Sequence, residues 1–355
     1  MLCINYILFV IAIVSCGARE ISEAQDSYIK LNVVSLPAPA ATSDARIIGG
    51  TATNIQKYPF IVQILYNLQL ICGGTLITQR HVLSAAHCFY DQNGHLVSPT
   101  NFSIRAGSTY LNTGGTIYPV LAFTVHSQYN SPPRDYDIAV MLLSSYVTLS
   151  TSVQIASIPY QGATFPDNAS VVVIGWGRTN VNVAAASAVL NEVTVRKVNR
   201  ALCAERYNYL ASVSGEPFPV TDSMLCAGLL DVGGADACQG DSGGPLIYQG
   251  VVVGVTSWGY SCAVPIFPGV YARVASFSTW VNTTVFSLVP NDGSGTVTLS
   301  PVIVTTPSNS TASVQTAAVA TTVTMLNSAS YSNASLATLL TSLAFVMLHV
   351  KWQQD

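Results

Sequence analysis

The chain has 355 residues, enough for one large domain or two of ordinary size. Only 9% of the residues are charged, and 14 basic residues against 17 acidic ones give a formal net charge of -3. This near balance argues against a nucleic-acid partner, which would need a basic surface.

The first predicted element is a secretory signal at residues 1–18. This stretch, MLCINYILFVIAIVSCGA, is a long apolar run that closes on small residues, although it has no basic start. Its removal would also remove two of the eight cysteines. The sequence therefore predicts an extracellular protein that is made in the secretory pathway.

Six cysteines remain after that removal, an even number in a secreted chain, which indicates three disulfides. Their number alone does not fix the partners. A zinc site is the alternative, but the chain has no C-x-x-C pair. The six are Cys72, Cys88, Cys203, Cys226, Cys238 and Cys262.

Short apolar and β-branched runs, separated by Gly, Pro and Asn, fill residues 47–287. Three of them, FIVQILY (60–66), SVVVIGWG (170–177) and VVVGVTSWG (251–259), are typical of buried strands. The best candidate for a helix, SFSTWVNTTVF (276–286), would close the domain. Many short strands with frequent turns predict an all-β barrel or sandwich.

The composition changes after residue 287. Residues 288–328 are rich in Ser, Thr, Ala and Val, which predicts an O-glycosylated stalk without a core. The tail, 329–355, holds an apolar run (336–350) that is shorter than the roughly 20 residues of a spanning helix. Small residues before this run favour a GPI-attachment signal, which is removed with the tail. A short single-pass anchor is the alternative.

N-x-S/T sequons predict N-glycosylation both on the domain and beyond it. They begin at Asn101, Asn168, Asn282, Asn309 and Asn333.

The segment DACQGDSGGPL (236–246) places Ser242 among glycines and close to two carboxylates. Its G-x-S-x-G pattern also surrounds the nucleophile of α/β-hydrolases, where the histidine comes last in the chain. Here the candidate histidine and aspartate, His87 and Asp137, both precede Ser242. The surrounding strands also lack the alternating helices that a parallel sheet needs. Chain order therefore argues against the α/β-hydrolase fold.

Seven motifs occur in order between residues 46 and 274 and together resemble the trypsin-like serine endopeptidases. The resemblance implies two six-stranded antiparallel β-barrels, with the active site in the cleft between them, and a short C-terminal helix. It also implies a propeptide at 19–46 and a catalytic domain at 47–287. The motifs are RIIGG (46–50), LSAAHC (83–88), DIAVMLL (137–143), GWG (175–177), DACQGDSGGPL (236–246), SWG (257–259) and PGVYARV (268–274).

The resemblance assigns the catalytic roles. Ser242 would be the nucleophile, His87 its general base and Asp137 the group that orients the imidazole. The backbone N–H groups of Gly240 and Ser242 would form the oxyanion hole. Asp135 lies two residues before Asp137 but outside the matching motif.

Asp236 matches the residue at the base of the primary specificity pocket, where a carboxylate selects Arg or Lys. Gly259 and Gly269 match the pocket walls that stay open to a long side chain, and Ser257 and Trp258 belong to the adjoining motif. The implied partners are protein or peptide substrates with Arg or Lys before the cut bond, and protein inhibitors are a further class.

Asp241 has a different role in the resemblance. Cleavage after Arg46 by an activating trypsin-like protease would expose Ile47 as a new N-terminus, whose charged amine pairs with Asp241 in the active enzyme. Without the cut the oxyanion hole stays unformed, so the chain is predicted to be a zymogen. Residues 19–46 contain no cysteine, so the propeptide is expected to leave after activation.

The resemblance also pairs the cysteines, as Cys72–Cys88, Cys203–Cys226 and Cys238–Cys262. The first disulfide would tie the loop of His87, and the last would frame the specificity pocket. The loop 107–120 lacks the paired glutamates that bind calcium in vertebrate trypsins. Neither a metal nor another cofactor is therefore predicted.

These inferences predict a serine endopeptidase that is tethered at the cell surface by a GPI anchor or otherwise secreted. One alternative is a catalytically silent homologue that acts as a binding module, but all three triad positions carry the catalytic residue types. The other is a soluble digestive trypsin whose tail is removed by processing.

Overall fold

The computed structural model describes residues 32–34, 50–130, 133–179 and 185–288. All of them belong to the first of two units of the chain, residues 1–289, and none to the second, residues 290–355. The predicted signal peptide, Arg46, Ile47, the anchor signal, and the sequons at Asn309 and Asn333 therefore lie outside the described residues. So does the predicted stalk beyond Leu288.

A closed barrel forms the first half of the region between residues 50 and 288. Two short strands, β1 (Asn32–Val34) and β2 (Thr51–Ala52), precede it. Its six strands are β3 (Ile61–Tyr66), β4 (Gln69–Leu76), β5 (His81–Ser84), β6 (Phe102–Ala106), β7 (Thr116–Val125) and β8 (Ala139–Leu143). They pair antiparallel in the order β3–β4–β5–β8–β7–β6. The apolar run of β8 is buried along its whole length, which places it in the barrel core.

A second barrel follows after β9 (Ser157–Pro159). Its six strands are β10 (Ser170–Gly175), β11 (Asn191–Val198), β12 (Met224–Gly228), β13 (Pro245–Tyr248), β14 (Val251–Trp258) and β15 (Gly269–Arg273). They pair antiparallel in the order β14–β13–β10–β11–β12–β15, and β15 returns to pair with β14. The prediction of two six-stranded antiparallel barrels is confirmed.

The three strands predicted from β-branched runs match β3, β10 and β14 within about two residues at their ends. Two α-helices are present in the described part of the chain: α1 (Arg200–Ser214) and α2 (Val274–Ser287). Two short 3-10 helices span Ala86–Phe89 and Pro99–Asn101. The predicted closing helix is α2, and it is longer than expected. Helix α1 is absent from the sequence prediction. No helix among the described residues is long and apolar enough to cross a membrane.

All six cysteines of the domain are bonded as expected, in the pairs Cys72–Cys88, Cys203–Cys226 and Cys238–Cys262. No thiolate is left among them, so the zinc alternative is wrong. The predicted propeptide also contacts the domain, because its strand β1 pairs in parallel with β9.

Candidate active site

His87 and Asp137 are brought together by the first barrel. His87 lies in a short 3-10 helix (Ala86–Phe89) directly after β5, and Asp137 lies two residues before β8. The pairing of β5 with β8 aligns the ends of these strands. His87 Nδ1 is 2.8 Å from Asp137 Oδ2, and the backbone N–H of His87 donates to Oδ1 over 2.8 Å. One carboxylate therefore fixes both the backbone and the ring of the histidine.

The second barrel adds a third donor to this carboxylate. Ser257 Oγ, near the end of β14, donates to Asp137 Oδ2 over 2.5 Å. Ser257 thus contacts Asp137, the aspartate predicted to orient the imidazole. Asp137 is only 4% exposed, whereas the His87 side chain is 31% exposed. The imidazole can therefore meet a substrate while its aspartate stays away from water.

The electrostatics of the pair follow from this geometry. Burial tends to raise the pKa of Asp137, but the charge of His87 and the hydrogen bonds from His87 and Ser257 hold that pKa below its usual value. Burial tends to lower the pKa of His87. The charge of Asp137 and its hydrogen bond to the ring outweigh this effect, so the pKa of His87 is raised. A carboxylate only accepts hydrogen bonds, so in the neutral ring Nδ1 carries the proton and Nε2 is free to accept one.

Ser242 lies in the turn before β13, and this turn packs against the segment that carries His87. The Ser242 carbonyl accepts from the backbone N–H of Gly73 over 2.7 Å. Ser84 Oγ donates to the carbonyl of the same Gly73 over 2.9 Å. Gly243 has a φ of 76°, and a Cβ there would overlap Ser84 Oγ. Ser242 and Gly243, remote from the first barrel in sequence, thus pack against Gly73 and Ser84, and Gly73 directly follows Cys72, which is bonded to Cys88.

Position 240 also requires glycine. Its φ is 101°, and a Cβ there would lie 2.9 Å from Gly177 Cα. Gly240 therefore packs its backbone directly against the Gly175–Gly177 turn, and no side chain at position 240 comes between the two segments.

Asp241 is buried between the same two segments. Its Oδ1 accepts from the backbone N–H of Gly177 over 2.7 Å, and its Oδ2 accepts from that of Cys238 over 2.9 Å. The side chain is 1% exposed, and burial raises its pKa to about 6 in spite of these two bonds. Two neutral amides therefore do not fully compensate for the cost of burying this charge.

Asp236, the residue predicted to lie at the base of the specificity pocket, is buried and bound by two backbone donors. It is 4% exposed, and its two oxygens accept from the N–H groups of Ala237 over 2.8 Å and Ala263 over 3.2 Å. A Cβ at Gly269 would lie 2.7 Å from Asp236 Oδ1, whereas the nearest atom to a Cβ at Gly259 is 3.6 Å away. Gly269 therefore keeps space open directly over the carboxylate.

Burial raises the pKa of Asp236 to about 7, and the charge of Asp241 adds to the rise. The Asp236 carboxyl group therefore ionises less readily than an exposed one. A cation beside it would restore the ordinary preference for the charged form.

Asp135 is not part of the His87 pair, and the sequon asparagines of the domain differ in exposure. Asp135 is buried, and its carboxylate accepts from Ser223 Oγ and from the N–H of Tyr136, so it is separate from the His87 pair. Of the sequon residues, Asn101 and Asn168 are exposed, and Asn282 is half-buried in α2.

Comparison with known proteins identifies the family. Residues 47–281 match the trypsin family. Trypsin, alkaline B from Manduca sexta is 42% identical over 249 residues, which cover 69% of this chain and 93% of that protein. Trypsin from Phaedon cochleariae is 39% identical over 248 residues, covering 70% and 92%. Trypsin alpha from Drosophila erecta is 39% identical over 246 residues, covering 69% and 90%. The chain belongs to the trypsin family, and its catalytic domain is that of a serine endopeptidase.

Proposed function

We propose that the chain is a secreted protease precursor whose active form cuts protein chains after Arg or Lys, with Ser242 as its nucleophile. The observation that carries this proposal is the hydrogen-bonded Asp137–His87 pair, next to which the turn of Ser242 is packed. In a Ser–His–Asp triad the histidine activates the serine hydroxyl for acyl transfer, and the buried carboxylate orients the histidine.

The reaction has two halves. Ser242 Oγ attacks the substrate carbonyl carbon while His87 Nε2 takes the hydroxyl proton, and Asp137 stabilises the imidazolium that forms. The N–H groups of Gly240 and Ser242 donate to the oxyanion. His87 then passes the proton to the leaving amine, which breaks the peptide bond and leaves an ester on Ser242. Water hydrolyses this ester by the same steps.

Asp236 is proposed to select a cationic side chain. Its buried carboxylate has a pKa of about 7 and gains most from a partner that carries its own positive charge. Gly259 and Gly269 leave room for the length of Arg or Lys. The two backbone donors on Asp236 hold the carboxylate in place and do not neutralise it.

We expect Asp236→Ser to lower kcat/KM for an Arg amide substrate by roughly 30- to 3,000-fold, because a buried partner of the guanidinium is lost. The value for a matched Tyr amide should fall far less. Both are measured as fluorogenic cleavage by the activated enzyme. Asp222→Ser is the control, since it removes a carboxylate whose side chain is 87% exposed. An unchanged Arg-to-Tyr ratio would place the specificity elsewhere.

Activation is proposed to depend on a cut after Arg46. The new α-amine of Ile47 would supply the cation that the buried carboxylate of Asp241 lacks, and this would hold the adjoining Gly240 turn in the form that binds an oxyanion. The raised pKa of Asp241, about 6, supports the need for such a partner.

Arg46→Gln is expected to yield an intact and almost inactive precursor after treatment with trypsin, because no cut can form the amine. Arg46→Lys is the control and should activate like the natural chain. The measurement is Arg-amide hydrolysis before and after the treatment, with the length of the chain followed by mass spectrometry. Full activity of the uncut Arg46→Gln protein would contradict the zymogen proposal.

The active enzyme is proposed to be extracellular and held at the cell surface by a GPI anchor at its C-terminus. A phosphatidylinositol-specific phospholipase should then release Arg-amidase activity from intact cells. Activity that stays on the cells would favour a single-pass anchor. Activity found in the medium without the phospholipase would favour a soluble digestive trypsin.

A further inference from the structure

Arg134 stacks on Trp258, the residue after Ser257, although no sequence motif marks it. It lies three residues before Asp137 in a loop with a φ of 67° at Arg134 itself. Its guanidinium carbon is 4.6 Å from the ring centroid of Phe218 and 5.7 Å from that of Trp258. Its Nη1 donates to the carbonyl of Pro217 over 2.6 Å. Stacking and one hydrogen bond thus hold the guanidinium in one orientation.

The position of Trp258 relates this guanidinium to the site. The residue before Trp258 is Ser257, which binds Asp137, and the residue after it is Gly259, which borders the pocket of Asp236. A substrate side chain in that pocket therefore has its backbone beside Trp258. The guanidinium on the Trp258 ring is then within reach of the substrate residues that precede the residue bound at Asp236.

The charge of Arg134 has no carboxylate partner among the ion pairs of the described residues, in contrast to Arg200 and Arg206, which pair with Asp222 and Asp231. Asp135 is adjacent in the chain, but its carboxylate is bound to Ser223 and Tyr136. A guanidinium has five N–H donors in a flat fork that fits a carboxylate, and only part of that capacity is used here.

We propose that Arg134 is a specificity-determining residue that binds an acidic substrate side chain, Asp or Glu, located N-terminal to the bond that is cut. The direction follows from the chemistry of His87, which has to protonate the leaving amine, so the C-terminal part of the substrate lies on the imidazole side. The N-terminal part then runs along Trp258. This proposal rests on the proposed function, because it requires cleavage after a residue bound at Asp236.

The test uses fluorogenic peptide amides that end in Arg and carry either Asp or its uncharged isostere Asn at one of the three preceding positions. The natural activated enzyme should prefer Asp at one position or more by roughly threefold to tenfold in kcat/KM. The preference should shrink as salt is added, because the pair is partly exposed to solvent. Arg134→Gln should bring the Asp-to-Asn ratio to about one.

Two further variants sharpen the result. Arg134→Glu should reverse the selection and favour Lys over Gln at the same position. A cut after that Lys would not be counted, because the fluorogenic group reports only the cut after Arg. Arg200→Gln removes one exposed arginine outside the site and should keep the natural ratio. A natural ratio of one or less at all three positions overturns this proposal, as does a preference that survives in both Arg134 variants. If no Arg amide is cut at all, the proposed function fails and this proposal fails with it.

Discussion

Ser242→Ala is expected to lower kcat for an Arg amide by about a factor of 10⁶, the loss seen for the nucleophile in other Ser–His–Asp proteases. Without Oγ no ester can form, and His87 has no hydroxyl to deprotonate. Binding should change little, because the backbone carbonyl of residue 242 still accepts from the N–H of Gly73 and only the hydroxyl is removed. The variant should therefore bind substrate without turning it over.

The measurement is a pre-steady-state assay of the activated enzyme with a p-nitrophenyl ester. The natural enzyme should release one equivalent of nitrophenol in a burst, and Ser242→Ala should show no burst. Ser212→Ala is the control, since Ser212 is an exposed serine on α1 that bonds only to the carbonyl of Tyr209. A loss below about tenfold in Ser242→Ala would end the assignment of the nucleophile.

The barrels could be predicted because their strands carry local signals. The runs in β3, β10 and β14 are β-branched and bounded by turn residues, and both features belong to the segment itself. The cysteine pairs could be predicted only through the resemblance, because six cysteines have many possible pairings.

Helix α1 was missed although its ends carry signals. Asn199 accepts from the N–H groups of Ala201 and Leu202, and Gly215 closes the helix with a φ of 76°. Its buried side chains, Cys203, Tyr207 and Leu210, are spaced by four and three residues along one face. Other large apolar side chains of the helix, such as Tyr209 and Val213, are exposed, so its apolar periodicity is weak. The capping residues Asn199 and Gly215 were therefore the stronger sequence signal for this helix.

The site contacts that sequence reasoning missed all join distant parts of the chain. Ser257 reaches Asp137 across 120 positions, and Arg134 reaches the carbonyl of Pro217 across 83. Local patterns contain no information about such pairs, because each residue is ordinary in its own segment. They exist only once the second barrel packs against the first.

Asp137→Asn is expected to lower kcat by about a factor of 10⁴, a magnitude known for this substitution in related triads. The carboxylate accepts at both oxygens from His87 and also from Ser257. An amide can accept at only one of its two ends. If its NH₂ faces Nδ1, that nitrogen must accept, and the proton moves to Nε2. The imidazole is then in the wrong tautomer to act as a base toward Ser242.

The pH profile separates this explanation from a general loss of folding. The charge of Asp137 holds the pKa of His87 above its usual value, and catalysis needs the neutral ring. Activity of the natural enzyme should therefore rise with pH through that raised pKa. In Asp137→Asn the pKa of His87 should fall, so the residual activity should reach its plateau at a lower pH. Asp135→Asn is the matched control: it changes a buried aspartate that bonds to Ser223, and its kcat and pH profile should stay close to the natural ones. An acidic limb that does not move in Asp137→Asn would mean that Asp137 does not control the protonation of His87.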